Sequence, residues 1–168
     1  MASTTSPDAP APVRADSRFM RQRLSRLIAF GFGSGLSPWA PGTVGTLWAW
    51  LAFVVLDRWL GPPAWAALIA AGAAVGAWAC GKTGRDLGVP DHGSIVWDEI
   101  VAFWLVLLFV PATAAAQFVA FVLFRFFDIV KPPPIRHFDA KLKNGFGVMF
   151  DDLLAALYTL LLVALWQR

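Results

Sequence analysis

The sequence has few of the residues on which many metal and redox sites depend. Among its 168 residues there is one cysteine, Cys80, and there are two histidines, His92 and His137. A single cysteine excludes an internal disulfide and a thiolate metal cluster. The histidines lie far apart and outside any His-Glu-x-x-His pattern, which argues against zinc.

Charged residues are also scarce, at 15% of the chain, whereas 58% of the residues are hydrophobic. Uncharged runs of 30, 23, 25 and 15 residues lie at 27–56, 59–81, 100–124 and 153–167. A bilayer core of about 30 Å is crossed by roughly 20 apolar helical residues, and these runs are of that order. The composition therefore favours an all-α membrane protein over an unusually apolar soluble helical domain.

The first 26 residues differ in composition from the rest. They mix Ala, Ser, Thr and Pro with charged residues, a composition that buries too little apolar area to become ordered. They also lack the apolar core and cleavage site of a secretory signal. We predict a flexible cytoplasmic tail at residues 1–26 and one membrane-embedded domain at 27–168.

The distribution of positive charge predicts a polytopic bundle of about five crossings. Five of the fourteen basic residues lie between Arg14 and Arg26, which keeps the amino terminus in the cytoplasm. The run at 100–124 is interpreted as a hairpin turning near Pro111, because one crossing would place the following basic residues outside. The predicted helices lie at about 43–56, 64–80, 94–110, 113–130 and 151–166. Residues 82–99 and 125–152, with eight of the eleven acids, then face the cytoplasm.

Polar residues run directly into the third predicted helix. Asp98 and Glu99, the latter the only glutamate, would lie at the edge of the hydrocarbon. Carboxylates are expensive there and are candidates for function. The alternative is helix capping, with Ser94 as the N-cap and the acids near the positive end of the helix dipole.

Three charged residues share one face at the end of the fourth predicted helix. Arg125, Asp128 and Lys131 follow one another at intervals of three, and Pro132 ends the helix. Two cations and a carboxylate at this position suggest a phosphate site. An internal salt bridge with side chains that reach the membrane surface is the alternative.

A second acid pair, Asp151 and Asp152, begins the last predicted helix. Adjacent acids at a helix start can be simple caps. However, a second pair on the same membrane face as Asp98 and Glu99 also suits Mg²⁺, which takes oxygen ligands from carboxylates and from phosphate.

Residues 31–46 form a glycine-rich, hydroxyl-bearing stretch that includes Ser34 and Thr43. Such a loop lets backbone N–H groups approach an anion, although the Gly-Lys-Ser/Thr ending of a Walker loop is absent. Close packing of helices is the other explanation of the glycines. Non-helical backbone at membrane depth must be buried or line a wet cavity, which favours a re-entrant segment.

Four motifs together resemble the phosphatidylglycerophosphatase A family, from about residue 27 to the end of the chain. They are Gly31-Phe-Gly-Ser-Gly-Leu-Ser-Pro with Pro41-Gly-Thr-Val-Gly-Thr, His92-Gly-Ser-Ile-Val-Trp-Asp-Glu, Phe124-Arg-Phe-Phe-Asp-Ile-Val-Lys-Pro with Pro134-Ile-Arg, and Gly147-Val-Met-Phe-Asp-Asp. The resemblance implies a Mg²⁺-dependent, multi-pass phosphatase of the bacterial inner membrane. It would convert phosphatidylglycerophosphate to phosphatidylglycerol at a cytoplasmic active site.

The resemblance also implies a division of the polar residues among functions, with no nucleic-acid partner and the oligomeric state left open. The expected metal ligands are Asp98, Glu99, Asp128, Asp151 and Asp152, and the first four are also the catalytic candidates. The expected phosphate-binding residues are Arg125, Lys131, Arg136, Ser34, Thr43 and Ser94. Asp98 or Asp151 would be the base that activates water, and a covalent route with Asp128 as nucleophile is the alternative.

The sequence argues against a small ion transporter and against two other families of lipid enzymes. A small ion or proton transporter would also carry acids in membrane helices, but it predicts acids spread through the bilayer depth. Here only Asp57 lies outside the tail and the predicted cytoplasmic face. The Pro-Ser-Gly-His signature of lipid phosphate phosphatases and the Asp-Gly-x-x-Ala-Arg pattern of CDP-alcohol phosphotransferases are absent.

Overall fold

The computed structural model describes residues 13–141 and 144–167, with the backbone alone at 139–141. Within these residues the chain is helical and contains no strand, which confirms the predicted all-α class. Eight α-helices are described: α1 (Ser17–Arg21), α2 (Leu24–Ala29), α3 (Pro41–Leu56), α4 (Pro62–Leu87), α5 (Trp97–Phe109), α6 (Ala114–Val130), α7 (Ile135–Lys141) and α8 (Gly145–Trp166). A 3₁₀ segment, Gly31–Leu36, joins α2 to α3.

Two helices are long and apolar enough to cross a bilayer, α4 with 26 residues and α8 with 22. α3 is equally apolar but has 16 residues, and α5 and α6 have 13 and 17. Large apolar side chains lie exposed on the outer faces of α3, α6 and α8; they include Leu51, Val55, Phe118, Val122, Ile129, Leu157 and Leu165. Contiguous apolar surface of this kind marks contact with a membrane or a partner. Together these features favour a membrane helical protein.

α5 is the central helix and packs against α3, α4 and α8. Ile100, Val101, Phe103 and Val106 are fully buried along it. The indole of Trp104 donates a hydrogen bond to the carbonyl of Ala49 on α3 at 2.9 Å, so its polar atom is satisfied inside the core. Because α5 is enclosed, the two acids in its first turn are held inside the protein.

Glycines allow α4 and α8 to cross closely. A Cβ added at Gly145 would lie 2.0 Å from the carbonyl oxygen of Ala77, and one at Gly76 would lie 2.6 Å from Sδ of Met149. Small residues let helix backbones approach in this way within membranes. This crossing brings the start of α8, and with it Asp151 and Asp152, next to the start of α5.

Residues 17–26 of the predicted flexible tail are ordered and packed in the described structure. α1 and α2 fold onto the bundle, with Phe19 and Met20 buried. Arg26 forms an ion pair with Asp86 of α4 at 3.0 Å, and its guanidinium lies 3.7 Å from the centre of the Phe19 ring. Local composition missed this docking because it depends on a partner 60 positions away. Residues 1–12 lie outside the described residues.

Two predicted helix starts also need correction. α5 begins at Trp97, and its N-cap is Val96, which makes no side-chain capping bond, so Ser94 is not the N-cap. α8 begins at Gly145, where Asn144 caps the helix by accepting a hydrogen bond from the Gly147 N–H at 2.9 Å. Asp151 and Asp152 therefore lie well inside α8, and capping does not explain them.

Candidate active site

Arg125 of α6 is the centre of a charged cluster that joins three helices. Its Nη1 donates to Oε1 of Glu99 on α5 at 3.0 Å and pairs with Oδ2 of Asp128, one turn further along α6, at 2.6 Å. The same nitrogen lies 3.4 Å from Oγ1 of Thr46 on α3. The exposed fractions of the three charged side chains are only 11–13%. Charge-assisted hydrogen bonds with so little exposure to solvent are strong, and they hold the ends of these helices together.

A second ion pair joins α6 to α8. Lys131 lies at the C-cap of α6 in a left-handed conformation, with φ of 45°, which turns the chain sharply at that point. Its Nζ binds Oδ2 of Asp151, whose side chain is buried. The cation that was predicted to bind phosphate therefore lies directly beside one of the predicted catalytic acids.

Asp98 and Asp152 are buried without an ion pair to any cation among the described residues, and both lie within electrostatic reach of Glu99 and Asp151. Oδ1 of Asp98, Oε2 of Glu99 and Oδ2 of Asp152 are buried and accept no hydrogen bond from the described part of the chain. Burying a carboxylate oxygen without a partner is costly. These oxygens are therefore the ones most in need of a cation or a proton donor from outside the chain.

The donor set suits a hard divalent cation, although it does not form a complete cage. In the part of the chain that the structure describes, no three acidic, histidine or cysteine side chains stand close enough together to hold a metal ion. Mg²⁺ needs only one or two carboxylates when substrate phosphate and water supply the remaining oxygens. The unpartnered oxygens of Glu99 and Asp152 fit that requirement.

Gly42 and Thr46 belong to the cluster and were missed by the sequence analysis. A Cβ at Gly42 would lie 1.9 Å from Oε1 of Glu99 and 2.9 Å from Nη2 of Arg125. The Thr46 hydroxyl donates to the Gly42 carbonyl at 2.9 Å and faces Arg125. Because Gly42 has no side chain, the backbone of the first turn of α3 packs directly against the Glu99–Arg125 ion pair. Gly42 and Thr46 lie one helical turn apart within the glycine-rich stretch, and this spacing is the sequence signal that could have identified them.

Four predicted phosphate-binding residues form no hydrogen bond or ion pair with the cluster among the described residues. Ser34 donates its hydroxyl to the Gly31 carbonyl at 2.9 Å, and Arg136 is exposed on α7. Thr43 and Ser94 are half-buried. The 3₁₀ segment nevertheless lies against the residues just before α5, since a Cβ at Gly35 would lie 2.2 Å from the Ser94 carbonyl oxygen.

Comparison with known sequences identifies the family. The family described as Phosphatidylglycerophosphatase A matches residues 27–167. This chain belongs to the phosphatidylglycerophosphatase A family. It is 50% identical to the phosphatidylglycerophosphatase A of Haemophilus influenzae, over 82% of this chain and 85% of that protein. It is 44% identical to the Escherichia coli protein of the same name, over 84% and 82% respectively.

Another relative bears a different name within lipid phosphate chemistry. A protein of Bacteroides thetaiotaomicron, named provisionally as a phosphatidylinositol-3-phosphatase, is 43% identical over 82% of this chain and 90% of its own length. No solved structure matches the chain.

Proposed function

We propose that this phosphatidylglycerophosphatase A family member hydrolyses the terminal phosphate of phosphatidylglycerophosphate to give phosphatidylglycerol in phospholipid biosynthesis. Two relatives named for this activity, at 50% and 44% identity over most of the chain, support it. The observation that carries the proposal is the meeting of acids and cations from α5, α6 and α8 at one end of the bundle. A transporter that moves ions across the bilayer gives no reason for that one-sided grouping.

The cations serve the phosphate in this proposal. Arg125 and Lys131 offset the negative charge of the phosphate oxygens, Arg125 through its fork of N–H donors and Lys131 as a point charge. Both are already fixed by carboxylates, so they need little reorganisation as charge shifts during the reaction. Arg136, Ser34, Thr43 and Ser94 would touch the headgroup only if it extended beyond the cluster.

Asp98 is the best-placed base for activating water. Asp128 is engaged by Arg125 at 2.6 Å, and Asp151 is engaged by Lys131. Oδ1 of Asp98 accepts no hydrogen bond from the described residues, so it is available to orient a water molecule and accept its proton. The same argument favours direct attack by water over a covalent route through Asp128.

Mg²⁺ is the cofactor we propose, with Glu99 and Asp152 as its first ligands and Asp98, Asp128 and Asp151 near them, so that Asp98 remains free to act as the base. Bound there, Mg²⁺ would offset charge on the phosphate oxygens as they redistribute it. The support is the chemistry of the buried oxygen donors, which suit a hard cation.

We further propose five crossings, by α3, α4, α5, α6 and α8, in the bacterial inner membrane with the cluster on the cytoplasmic side. α5 is about 20 Å long at 1.5 Å per residue, so residues 94–96 and 110–113 would complete its crossing. The basic residues before α3 and after α6 support this orientation, because short basic segments stay inside.

The 3-phosphate of a phosphatidylinositol phosphate is the second candidate substrate. The Bacteroides relative favours it, since the same charged cluster could serve another phosphate monoester on a membrane lipid.

Phosphate release from purified, detergent-solubilised protein separates the two candidates. The substrates are phosphatidylglycerophosphate, phosphatidylinositol 3-phosphate and phosphatidic acid, each with Mg²⁺ or with excess chelator. We expect phosphatidylglycerophosphate to be cleaved fastest and the chelator to abolish release. Faster release from either other lipid would refute the proposed substrate, and full release in chelator would refute the metal.

A further inference from the structure

We infer that α8 carries a groove that binds one acyl chain of the phospholipid substrate. The inference rests on the proposed function and adds to it how the lipid is held. Two apolar hollows lie on the outer surface of the bundle, and none of the charged residues of the candidate active site lines either of them.

The two hollows lie next to each other along α8, and together they are the groove of this proposal. The first, of about 200 Å³, is lined by Pro134, Leu154, Leu157, Tyr158 and Leu161. The second, of about 350 Å³, is lined by Phe109, Leu157, Leu160, Leu161, Val163, Ala164 and Gln167. Leu157 and Leu161 line both, so the two hollows are neighbours that share these two side chains. Nearly all of the lining is apolar, as a hydrocarbon chain requires.

The groove continues the helix face that carries the catalytic candidate Asp151. Leu154, Tyr158 and Leu161 follow Asp151 at steps of three, four and three residues, which places them on one side of α8. From Asp151 to Leu161 the helix rises by about 15 Å at 1.5 Å per residue. That distance is about half of a 30 Å bilayer core, which is the depth of one leaflet.

The headgroup end of the groove has the charge that a lipid phosphate requires. Lys131, paired with Asp151, lies three residues before Pro134 in the groove wall. The Tyr158 hydroxyl donates to the Pro133 carbonyl at 3.1 Å, which ties this loop to α8. A lipid whose phosphate lies beside Lys131 would therefore have its acyl chain at the mouth of the groove. Bulk lipid needs no such cation, so we assign the groove to the substrate.

Substitution within the groove tests this assignment. We expect Leu161→Trp to fill the groove and to raise KM about tenfold for phosphatidylglycerophosphate with palmitoyl chains, because the displaced chain loses apolar contact. With hexanoyl chains, which end before Leu161, KM should stay within about twofold of wild type. Leu165→Trp is the matched control: Leu165 is also an exposed α8 leucine, 63% against 54% for Leu161, but lines neither hollow.

The groove assignment would be wrong if Leu161→Trp kept the wild-type KM for the palmitoyl lipid. It would also be wrong if Leu165→Trp raised that KM as much as Leu161→Trp does. Either result would leave wild-type phosphate release intact, whereas failure of the wild type on every form of this lipid would instead refute the proposed function. A second measurement avoids dependence on folding of the variant. A photoreactive acyl chain on phosphatidylglycerophosphate should label residues 154–164 of the wild-type protein above all others, and labelling without enrichment on α8 would contradict the inference.

Discussion

Gly42 shows how a single missing side chain shapes the candidate site. Gly42 lies in the first turn of α3, and alanine has a higher helix propensity than glycine, so propensity alone predicts that Gly42→Ala does not destabilise α3. The new Cβ would, however, lie 1.9 Å from Oε1 of Glu99, so the Glu99–Arg125 pair would have to shift. A misplacement of about 1 Å near a reacting centre can lower the rate about 100-fold.

We therefore expect Gly42→Ala to lower kcat for phosphate release by about 100-fold while thermal unfolding still shows a folded protein. Gly61→Ala is the control, since a Cβ at Gly61, before α4, meets nothing closer than Pro63 at 3.9 Å. Equal activity of the two variants would show that the close approach of α3 to the ion pair has no catalytic importance.

Sequence patterns point to the charged residues of the cluster more readily than to the uncharged residues around them. The cost of a charge near hydrocarbon is local, so Asp98, Glu99 and Arg125 stood out without a structure. Gly42 and Thr46 gain their meaning from a side chain on α6 about 80 positions away, and no local pattern contains that contact. The tryptophans also differ in ways that local sequence does not reveal. Trp39 and Trp59 are exposed, as anchors at a membrane surface would be, whereas Trp65 and Trp104 are buried in the core.

At the scale of elements, the break at Pro111 was predictable because proline disfavours a helix interior. The structure places α5 and α6 on either side of it, ending at Phe109 and beginning at Ala114, and Thr113 caps α6. The docking of α1 and α2 was not predictable from composition, since it depends on the pairing of Arg26 with Asp86. Long-range contacts therefore decide helix ends and tails more than the helices themselves.

The proposed membrane hairpin of α5 and α6 has a consequence for orientation in the membrane. In a Cys80→Ser background, which removes the buried native thiol, we expect Asp91→Cys and Arg136→Cys to react with an impermeant thiol reagent only from the cytoplasmic side. Trp59→Cys, at the exposed turn between α3 and α4, should react only from the other side. Labelling of positions 91 and 136 from opposite sides would exclude the hairpin and the shared site.

At the scale of the whole molecule, the bundle gathers chemistry at one end and leaves apolar faces elsewhere. Three helices bring the charged side chains, α5 from its first turn, α6 from its last turns and α8 from its second turn, and α3 packs its first turn against them. This arrangement suits a substrate whose headgroup reaches the water while its acyl chains remain among the lipids. Part of the buried charge is compensated within the protein, since Glu99, Asp128 and Asp151 each have a cationic partner.

The most direct test of the account is the kcat for phosphate release from phosphatidylglycerophosphate by the Asp98→Asn variant. Asparagine keeps the shape of the side chain but cannot accept a proton, so we predict a loss of about 10²- to 10⁴-fold in a protein that still folds. Asp57→Asn at the opposite end of the bundle, where the carboxylate accepts a hydrogen bond from Trp65, should retain wild-type kcat. Wild-type turnover by Asp98→Asn would contradict the proposed catalytic centre.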